Sequence, residues 1–586
     1  MSRQNTQSGG SGMHTETRRS PDANISSRLA AGLALQIATV LLPSIAMIPT
    51  IVFRAAGQTE SVVVWAVFAS VVICGMVSIL HAMRFGRSNA GYIVAAGTAG
   101  VAIAASVSAI TSGGLKMLAS LVVAMALAQI VFSYKLLLFR RILTPTVTGT
   151  IMLLTPVTVM PILFDQLKNV PEGVSDLAAP LCASTTFAVI VILMLLGTGL
   201  MRLWSPFIGV VSGSIVAALF GIYDVDRVVN ASWVGLPEMY WPGLDLNFDS
   251  SFWALLPAFI FIALVCTIQQ ISGSVTIQRV SWRPPRAVDF RSVQSAINAD
   301  GIGNFLAGFA GISPLGYRPT GSAMVEITGI SSRRVGVALG IVLIAISLLP
   351  KALAAILAIP GPIVAAFITV MMAAIFIIGM KIVVQDEINF RKGTIVGISF
   401  WLGVGFELDS IFPEIVSDFA GGMFQNGMVA GGTTAILLTL LLELAKPRRH
   451  RLDTNLSLSA LVPIQKFLNN IAIRNGWDER MSERLSAVSE ETLLTLLQRT
   501  ELKEQYERHH LRVDAYREGA QLFLEFIASS SAENIQDRIA LLGEQVDLDH
   551  VQEEMSLRLL RHLSSSVHHQ QYRDCDILTI RVDILH

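Results

Sequence analysis

ISPLGYRPTGSAMVEITG, residues 312–329, is an apolar stretch that is too often interrupted to form one ordinary membrane-spanning helix. Two prolines and three glycines lie within it, and both residue types disfavour the interior of a helix. A second short apolar stretch, residues 91–108, contains three glycines. Paired interruptions of this kind point to a solute-binding site, where ligand, water or neighbouring protein satisfies the freed backbone groups. The alternative for each segment alone is an ordinary kinked helix.

The composition around these segments is that of a membrane protein. Of the 586 residues, 52% are hydrophobic and 15% are charged, whereas soluble domains carry about 25% charged residues. The mean hydropathy is +0.59. Apolar blocks recur with lengths of about 20 residues, which is enough to cross hydrocarbon as a helix. We predict an all-α polytopic membrane protein with about 14 spans.

Three regions of the chain differ in composition. Residues 1–27 are polar and lack the apolar core of a signal peptide, so we expect a disordered N-terminal tail. Residues 28–446 hold the apolar blocks and form the predicted transmembrane domain. Residues 452–586 have a soluble composition and the length of a domain, and their periodic segments predict an α+β unit.

Charge and cysteine content argue against several classes of function. The 43 basic and 43 acidic residues give a net charge of zero, so charge predicts no nucleic-acid partner. The four cysteines are not spaced for a metal site or a disulfide framework. We therefore expect no cofactor and no metal. The paired interruptions at 91–108 and 312–329, which are typical of secondary transporters, favour a transporter rather than an enzyme.

Positive charge orients the predicted spans. With the N-terminus in the cytoplasm, the clusters of arginine and lysine fall on the cytoplasmic side, as the positive-inside rule expects. The long connection at residues 223–251 has one basic residue, Arg227, and falls outside. Both termini are therefore predicted to be cytoplasmic. The predicted cytoplasmic basic residues are Arg18, Arg19, Arg28, Arg140, Arg141, Arg202, Arg279, Arg283, Arg286, Arg291, Arg333, Arg334, Arg391, Lys392, Lys446, Arg448, Arg449 and Arg451.

Three motifs, in this order along the chain, carry a family resemblance. Residues 141–150 read RILTPTVTGT, residues 298–308 read NADGIGNFLAG, and residues 327–335 read ITGISSRRV. Through these motifs, residues 29–445 resemble the xanthine/uracil permease family, which is also called the nucleobase–ascorbate transporter or nucleobase:cation symporter-2 family.

The resemblance implies both a fold and a mode of action. The family fold has two inverted repeats of seven spans, arranged as a core domain and a gate domain. Its third and tenth spans are half-helices that follow short strands, and their N-termini present backbone N–H groups to a polar ligand. We therefore expect a symporter of a nucleobase-like small molecule that rocks its core against its gate. The resemblance also implies a homodimer, surrounded by lipid, in the bacterial inner membrane.

The resemblance marks candidate substrate-binding residues in the third and eighth spans. In the third span, Gly97, Thr98 and Ala99 would contact the ligand mainly through backbone amides, with helix packing as the alternative role of Thr98. In the eighth span, Gln269 stands where the family has an acidic residue, and Gln270 follows it. A glutamine amide donates and accepts hydrogen bonds but does not titrate, so this position is not expected to carry a proton.

The tenth span supplies the remaining candidates. Where the family has an acid or amide followed by asparagine, this sequence has Thr320 and Gly321, with Ser322 next. Glu326 follows in the same span, and an ionisable side chain inside a span is costly enough to suggest a function. We treat Glu326 as a candidate coupling group. The alternative is an ion pair with one of the arginines at 333–334.

The C-terminal region carries a second resemblance. Residues 484–495, RLSAVSEETLLT, and residues 524–528, LEFIA, resemble the histidine-kinase-type ATPase fold of anti-sigma-factor kinases. Thr495 stands where that fold has a metal-holding asparagine, and Glu553 and Glu554 replace glycines that let phosphates approach the backbone. We therefore expect a degenerate domain without kinase activity or ATP binding. The predicted helices are 460–473, 481–500 and 551–564, and the predicted strands are 510–516, 521–528 and 576–584.

The role of this region leaves alternatives open. A regulatory or partner-binding module is one prediction, with a soluble protein as its partner. A tail that only assists folding or dimerisation is the other. For the whole chain, one alternative is a transporter-derived sensor that binds a ligand in the membrane and signals through the tail. Another is an anion transporter of the sulfate-permease type, which shares the architecture.

Overall fold

The computed structural model divides the protein into two compact units. One unit is Met1–Arg283 with Ser292–Glu443, and the other is Pro284–Arg291 with Leu444–His586. Two predicted features lie partly outside the described residues: most of the N-terminal tail and the start of the 141–150 motif. The described residues are 20–83, 90–136, 144–168, 170, 173–282, 286–385, 389–412, 426–444, 449–498, 510–518, 521–528, 535–536, 539, 551–572 and 575–584.

The first unit is mostly helical. Within the described residues, nine helices are long and apolar enough to cross a membrane, or ten if one bent pair counts as a span. This confirms a polytopic membrane fold but does not confirm the predicted number of about fourteen spans. The helices are α1 (Ser27–Ala55), α2 (Glu60–Ala82), α3 (Ile103–Tyr134), α4 (Pro145–Leu167), α5 (Ala178–Leu196), α6 (Leu200–Leu219), α7 (Val225–Asn230), α8 (Ser250–Ser281), α9 (Phe290–Phe309), α10 (Thr320–Thr328), α11 (Arg333–Ser347), α12 (Pro350–Leu357), α13 (Gly361–Gln385), α14 (Phe390–Glu407) and α15 (Gly427–Leu444).

Two breaks interrupt the helices of this unit. Helices α11 and α12 meet at a bend of 81° and do not form one continuous helix. Pro350 begins α12 and has no backbone N–H with which to continue α11. In α3, Gly114 has a φ of 72°, a left-handed conformation that glycine adopts without steric cost. This break separates a short first half of α3 from a long second half.

The two interrupted segments each contain a short strand followed by a helix. Strand β1 (Ala95–Thr98) precedes a 3₁₀ turn and α3, and strand β2 (Leu315–Arg318) precedes α10. The strands pair antiparallel, with Ala95 opposite Arg318 and Thr98 opposite Leu315. The ordinary kinked helix is therefore the wrong reading of both segments.

Small residues allow close helix packing in this unit. A Cβ added at Gly75 of α2 would lie 2.8 Å from the carbonyl oxygen of Gly340 in α11, and one added at Gly340 would lie 2.3 Å from that of Gly75. Such close backbone approach is how membrane helices gain van der Waals contact without a hydrophobic driving force. Residues 20–26, the described end of the predicted tail, also adjoin this unit, and Ile25 is buried.

The C-terminal unit is an α+β structure with its own hydrophobic core. Its sheet is antiparallel in the order β3–β4–β5–β7–β6. The helices and strands predicted for this region are present. Strands β3 and β6 were not predicted from the sequence. The kinase-type resemblance stays a prediction. The elements are β3 (His450–Asn455), α16 (Leu461–Arg474), α17 (Glu479–Gln498), β4 (His510–Glu518), β5 (Gln521–Ala528), α18 (Val551–Leu563), β6 (Ser566–Gln571) and β7 (Asp576–Asp583).

Candidate functional site

The paired strands bring together candidates from the two interrupted segments. Gly97 lies opposite Gly316 in the ladder, and Thr98 lies opposite Leu315. The N–H of Ala99 donates to the carbonyl of Pro314 at 2.7 Å and extends the pairing by one bond. Gly97, Thr98 and Ala99 are all buried. The third and tenth predicted spans therefore meet inside the membrane unit.

Thr98 fastens β1 to α1. Its Oγ1 donates to the carbonyls of Ser44 at 3.0 Å and Ile45 at 3.2 Å. The carbonyl of Ile45 lacks its helical partner because Pro49, four residues on, has no N–H. The side chain of Thr98 therefore satisfies a backbone group that proline leaves free, as buried polar groups require.

Asn304 fixes the start of β2, and the sequence analysis did not assign it this role. Its Oδ1 accepts the backbone N–H of Leu315 at 2.6 Å, and its Nδ2 donates to the carbonyl of Leu315 at 3.3 Å. The same Nδ2 donates to Oε1 of Gln129 in α3 at 2.8 Å. Asn304 is fully buried. Its position within the 298–308 motif was the available signal.

Arg318, which ends β2, was also missed. It is 7% exposed, and its Nη2 donates to the carbonyl of Thr98. Its Nε has no hydrogen-bond partner within the described part of the chain. A Cβ at Gly97 would lie 2.6 Å from Cγ and 2.7 Å from Nε of Arg318, so the guanidinium stem covers Gly97. A charged residue within an interrupted apolar segment was the signal that could have identified it.

The predicted glutamines lie on the helix that packs against β2. Gln270 is fully buried, its Nε2 donates to Oγ of Ser274 at 3.4 Å, and its Oε1 has no partner among the described residues. Gln269 is half-buried. It precedes Gly273 by four residues and therefore shares a helix face with it. A Cβ at Gly273 would lie 2.4 Å from the ring of Tyr317 in β2, so this face of α8 meets the strand pair.

The N-terminus of α10 holds the next three candidates. Thr320 begins the helix and is half-buried, and Gly321 and Ser322 are buried. Ser322 Oγ lies 2.9 Å from the hydroxyl of Tyr317 and donates to the carbonyl of Pro319 at 2.9 Å. A Cβ at Gly321 would lie 2.8 Å from the carbonyl oxygen of Ile93, so glycine allows α10 to approach the chain before β1.

Neither helix that follows a strand has a side-chain N-cap. Ala99 precedes the 3₁₀ turn before α3, and Pro319 precedes α10, and neither side chain accepts from the first turn. The first N–H groups of a helix have no partner within the helix. The helix dipole also places positive potential at this end. The arrangement therefore favours a polar or anionic ligand.

Glu326 is exposed on α10. Arg333, one of the two alternative partners, pairs with Asp22. Arg334, the other, donates to the carbonyl of Ile25 at 3.0 Å. No ion pair joins Glu326 to either arginine in the described residues.

A buried pair lies beside these residues. Nε2 of His81 in α2 lies 2.9 Å from Oδ1 of Asp300 in α9, and both side chains are almost fully buried. The carbonyl of His81 also accepts the N–H groups of Gly91 at 2.8 Å and Tyr92 at 3.3 Å. The pair therefore fixes the approach to β1.

No cluster of metal-ligating side chains accompanies these contacts. Across the described ranges, no group of three or more histidine, cysteine, aspartate or glutamate residues is placed to hold a metal ion. What the site offers a ligand is backbone amides, neutral amide side chains, hydroxyl groups and one guanidinium.

Comparison with known proteins identifies relatives of the membrane unit. A model of xanthine/uracil permeases, described as "Permease family", matches residues 30–409. The xanthine permease XanP of Escherichia coli (strain K12) is 24% identical over 402 residues, which cover 66% of this chain and 85% of XanP. The uric acid permease PucK of Bacillus subtilis (strain 168) is 22% identical over 426 residues, which cover 72% of this chain and 97% of PucK.

A solved structure is also similar. The murine Slc26a9 anion transporter in the inward-facing state is 12% identical, with a TM-score of 0.49, and the likeness covers 74% of this chain and 71% of that one. A likeness at this level carries no argument about function. The family match spans more than half of the chain, and the chain belongs to the xanthine/uracil permease family, whose members are membrane transporters and not enzymes.

Proposed function

We propose that this protein is a secondary transporter of purine-type or pyrimidine-type nucleobases. The observation that carries the proposal is the antiparallel pairing of β1 with β2 in front of two helices without side-chain caps. That arrangement offers unpaired backbone N–H groups to a small polar ligand inside the membrane. The similarity to XanP and PucK, which are named as permeases for xanthine and uric acid, supports the same class of substrate.

The proposed binding residues fall into two groups. Thr320 would present a backbone N–H group from the start of α10, and Gly97 and Ala99 would line the site along and just after β1. Gln269 and Gln270 would offer side-chain amides from α8. An amide can match the edge of a nucleobase because it donates and accepts in the same plane. Gly321 and Ser322 complete the proposed site, and Thr98 holds β1 in place behind it.

Transport would follow alternating access. By family resemblance, we propose a core domain that carries the strand pair and a gate domain against which it rocks, in about fourteen spans. Both termini would be cytoplasmic, as the arginine and lysine clusters suggest, and the transporter would be a homodimer. Glu326 would carry the coupling proton, because it is an ionisable side chain within the tenth span.

Counterflow in proteoliposomes tests the proposal. Purified protein would be reconstituted in vesicles loaded with unlabelled xanthine, uracil or urate, and uptake of the radiolabelled compound would be followed. We expect transient accumulation of at least one nucleobase above its equilibrium level. If none exchanges, the proposed function is wrong.

A sensor is the second candidate function, and one observation favours it. Residues 286–291, which connect α8 to α9 and begin α9, belong to the C-terminal unit. Those two helices carry Gln269, Gln270 and Asn304, so the chain that joins site-bearing helices is part of a soluble unit. Hydrogen exchange of the C-terminal sheet with and without nucleobase tests this candidate. Unchanged protection at saturating ligand would reject it.

A further inference from the structure

The charge of Arg318 has no counter-ion in the structure. Its side chain is more than nine-tenths buried, at the end of a strand that is paired inside the membrane unit. Its Nη2 donates to a neutral carbonyl, that of Thr98, and its Nε has no partner within the described residues. A buried charge is costly unless an opposite charge and hydrogen bonds satisfy it.

The helices around the strand pair do not supply the missing negative charge. Helices α1, α3 and α8 contain no acidic residue. Asp300 of α9 is engaged with His81 at 2.9 Å, and Glu326 of α10 is exposed. No carboxylate among the described residues lies within ion-pair distance of Arg318. The two candidate binding residues on α8, Gln269 and Gln270, are neutral amides.

Further positive potential comes from the backbone. The guanidinium covers Gly97 and bonds to Thr98, the last residue of β1, directly before the uncapped start of the helical segment that leads into α3. Arg318 itself precedes the uncapped start of α10 by two residues. Helix N-termini favour negative charge nearby. One full positive charge and two partial ones therefore converge on the same place.

We infer that this site binds its substrate as an anion, with Arg318 as the residue that recognises the charge. This inference rests on the proposed function, because it names the substrate class of the same site. Among nucleobases, the class is the oxidised purines in their monoanionic form. Urate is a monoanion at neutral pH and xanthine ionises close to it, whereas hypoxanthine and uracil stay neutral. The planar guanidinium fork can donate two parallel bonds to adjacent acceptors of such a ring.

Ligand binding to the purified full-length protein provides the first test. Calorimetric titration would compare urate with hypoxanthine, and would compare xanthine in mildly acidic and mildly alkaline buffer. We expect urate to bind at least about tenfold more tightly than hypoxanthine. We also expect xanthine to bind more tightly as it ionises, while the affinity for hypoxanthine stays constant over the same range. This test needs no substitution, so it stands even if an Arg318 variant fails to fold.

Substitutions provide the second test. Arg318→Gln should lower the affinity for urate by about 30-fold or more, because the ligand's charge would lose its partner. Affinity for hypoxanthine should change much less. Arg318→Lys should retain part of the preference for urate, because the charge remains while the fork is lost. The matched control is Arg279→Gln, which removes the same charge from an exposed position near the end of α8.

Each outcome separates this inference from the proposed function. Equal affinity for urate and hypoxanthine, or transport of neutral nucleobases that does not depend on Arg318, overturns the anionic class and leaves nucleobase transport standing. Binding of sulfate or bicarbonate in an Arg318-dependent manner, with no nucleobase bound, supports the anionic site and overturns the proposed function. An Arg318→Gln variant that binds urate with unchanged affinity overturns the assignment of Arg318.

Discussion

Oδ1 of Asn304 accepts the backbone N–H of Leu315 at 2.6 Å, so a side chain of α9 occupies the bonding position that a third strand would otherwise fill. The same amide bonds to Gln129 of α3. Asn304 thus joins β2 to α9 and α3. Side-chain hydrogen bonds, and not further strands, hold the two-stranded sheet in position.

Replacing Asn304 should loosen β2. Asn304→Ala leaves the N–H of Leu315 and the Oε1 of Gln129 without partners, which we expect to cost about 1–3 kcal/mol of stability. Thermal unfolding in detergent measures this cost, and counterflow should weaken in parallel. Asn247→Ala, in an exposed connection, is the matched control and should change neither quantity. An Asn304→Ala protein with unchanged melting and unchanged counterflow would contradict the role described for Asn304.

Thr98→Val should release β1 from α1. Valine has nearly the shape of threonine but cannot donate to the carbonyls of Ser44 and Ile45. We expect a loss of about 1 kcal/mol, in line with hydrogen bonds between membrane segments. Thr98→Ser keeps the hydroxyl and should retain most of the stability. Thermal unfolding distinguishes the two variants, and equal loss in both would show that packing, and not the hydroxyl, is what matters.

Gly97→Ala should displace Arg318. The added methyl group would lie 2.6 Å from Cγ of Arg318, which is closer than real contacts allow. We expect an overpacking cost of about 1–3 kcal/mol and weaker ligand binding. Gly32→Ala, in an exposed part of α1 with no atom within 4 Å of the new methyl, is the control and should be neutral or slightly stabilising. Isothermal titration together with thermal unfolding checks both effects.

Glu326→Gln should separate coupling from exchange. If Glu326 carries the proton, the variant loses uphill uptake driven by a pH gradient but still performs counterflow, because glutamine cannot titrate. Parallel uptake and counterflow assays in proteoliposomes measure the two activities. Glu238→Gln, an exposed position before α8, provides the control. Uphill uptake that survives in Glu326→Gln would remove this residue from the mechanism.

Truncating Phe526 should unfold the C-terminal unit. Phe526 lies in β5 and is fully buried in the core of that unit. Phe526→Ala leaves a cavity that we expect to cost about 3–5 kcal/mol. Limited proteolysis would show cleavage in the C-terminal unit, while the membrane unit stays protected. Val462→Ala, at a 55% exposed site in α16, should leave the proteolysis pattern unchanged.

Much of the membrane architecture was predictable because hydrocarbon imposes simple rules on sequence. The length of the apolar blocks predicted the membrane-spanning helices. Glycine and proline marked the segments 91–108 and 312–329, where continuous helices are interrupted. The bend before Pro350 was less evident, since proline also occurs inside continuous membrane helices.

The site was harder to read from sequence than the fold. The interruptions marked the two segments that pair as β1 and β2, and the family resemblance marked Gly97, Thr98 and Gly321 within or beside them, whose role in binding stays a prediction. Arg318 and Asn304 act through neighbours that lie far away in the chain, and no local periodicity encodes such pairs. The alternative role of Glu326, an ion pair with Arg333 or Arg334, is not seen among the described residues. Residues 20–26 supply the partners of both arginines: Arg333 pairs with Asp22, and Arg334 donates to the carbonyl of Ile25.

The pairing of β1 with β2 also limits how the gene can vary. Thr98 and Arg318 are 220 positions apart yet joined by one bond, so the intervening chain can lengthen in loops without disturbing the ladder. Within either strand the opposite holds. Alternate residues face opposite sides, and a single codon inserted into β2 would exchange the directions of Tyr317 and Arg318. Insertions and deletions should therefore be absent from these four-residue strands in functional descendants of this sequence, while loops such as 231–249 accumulate them.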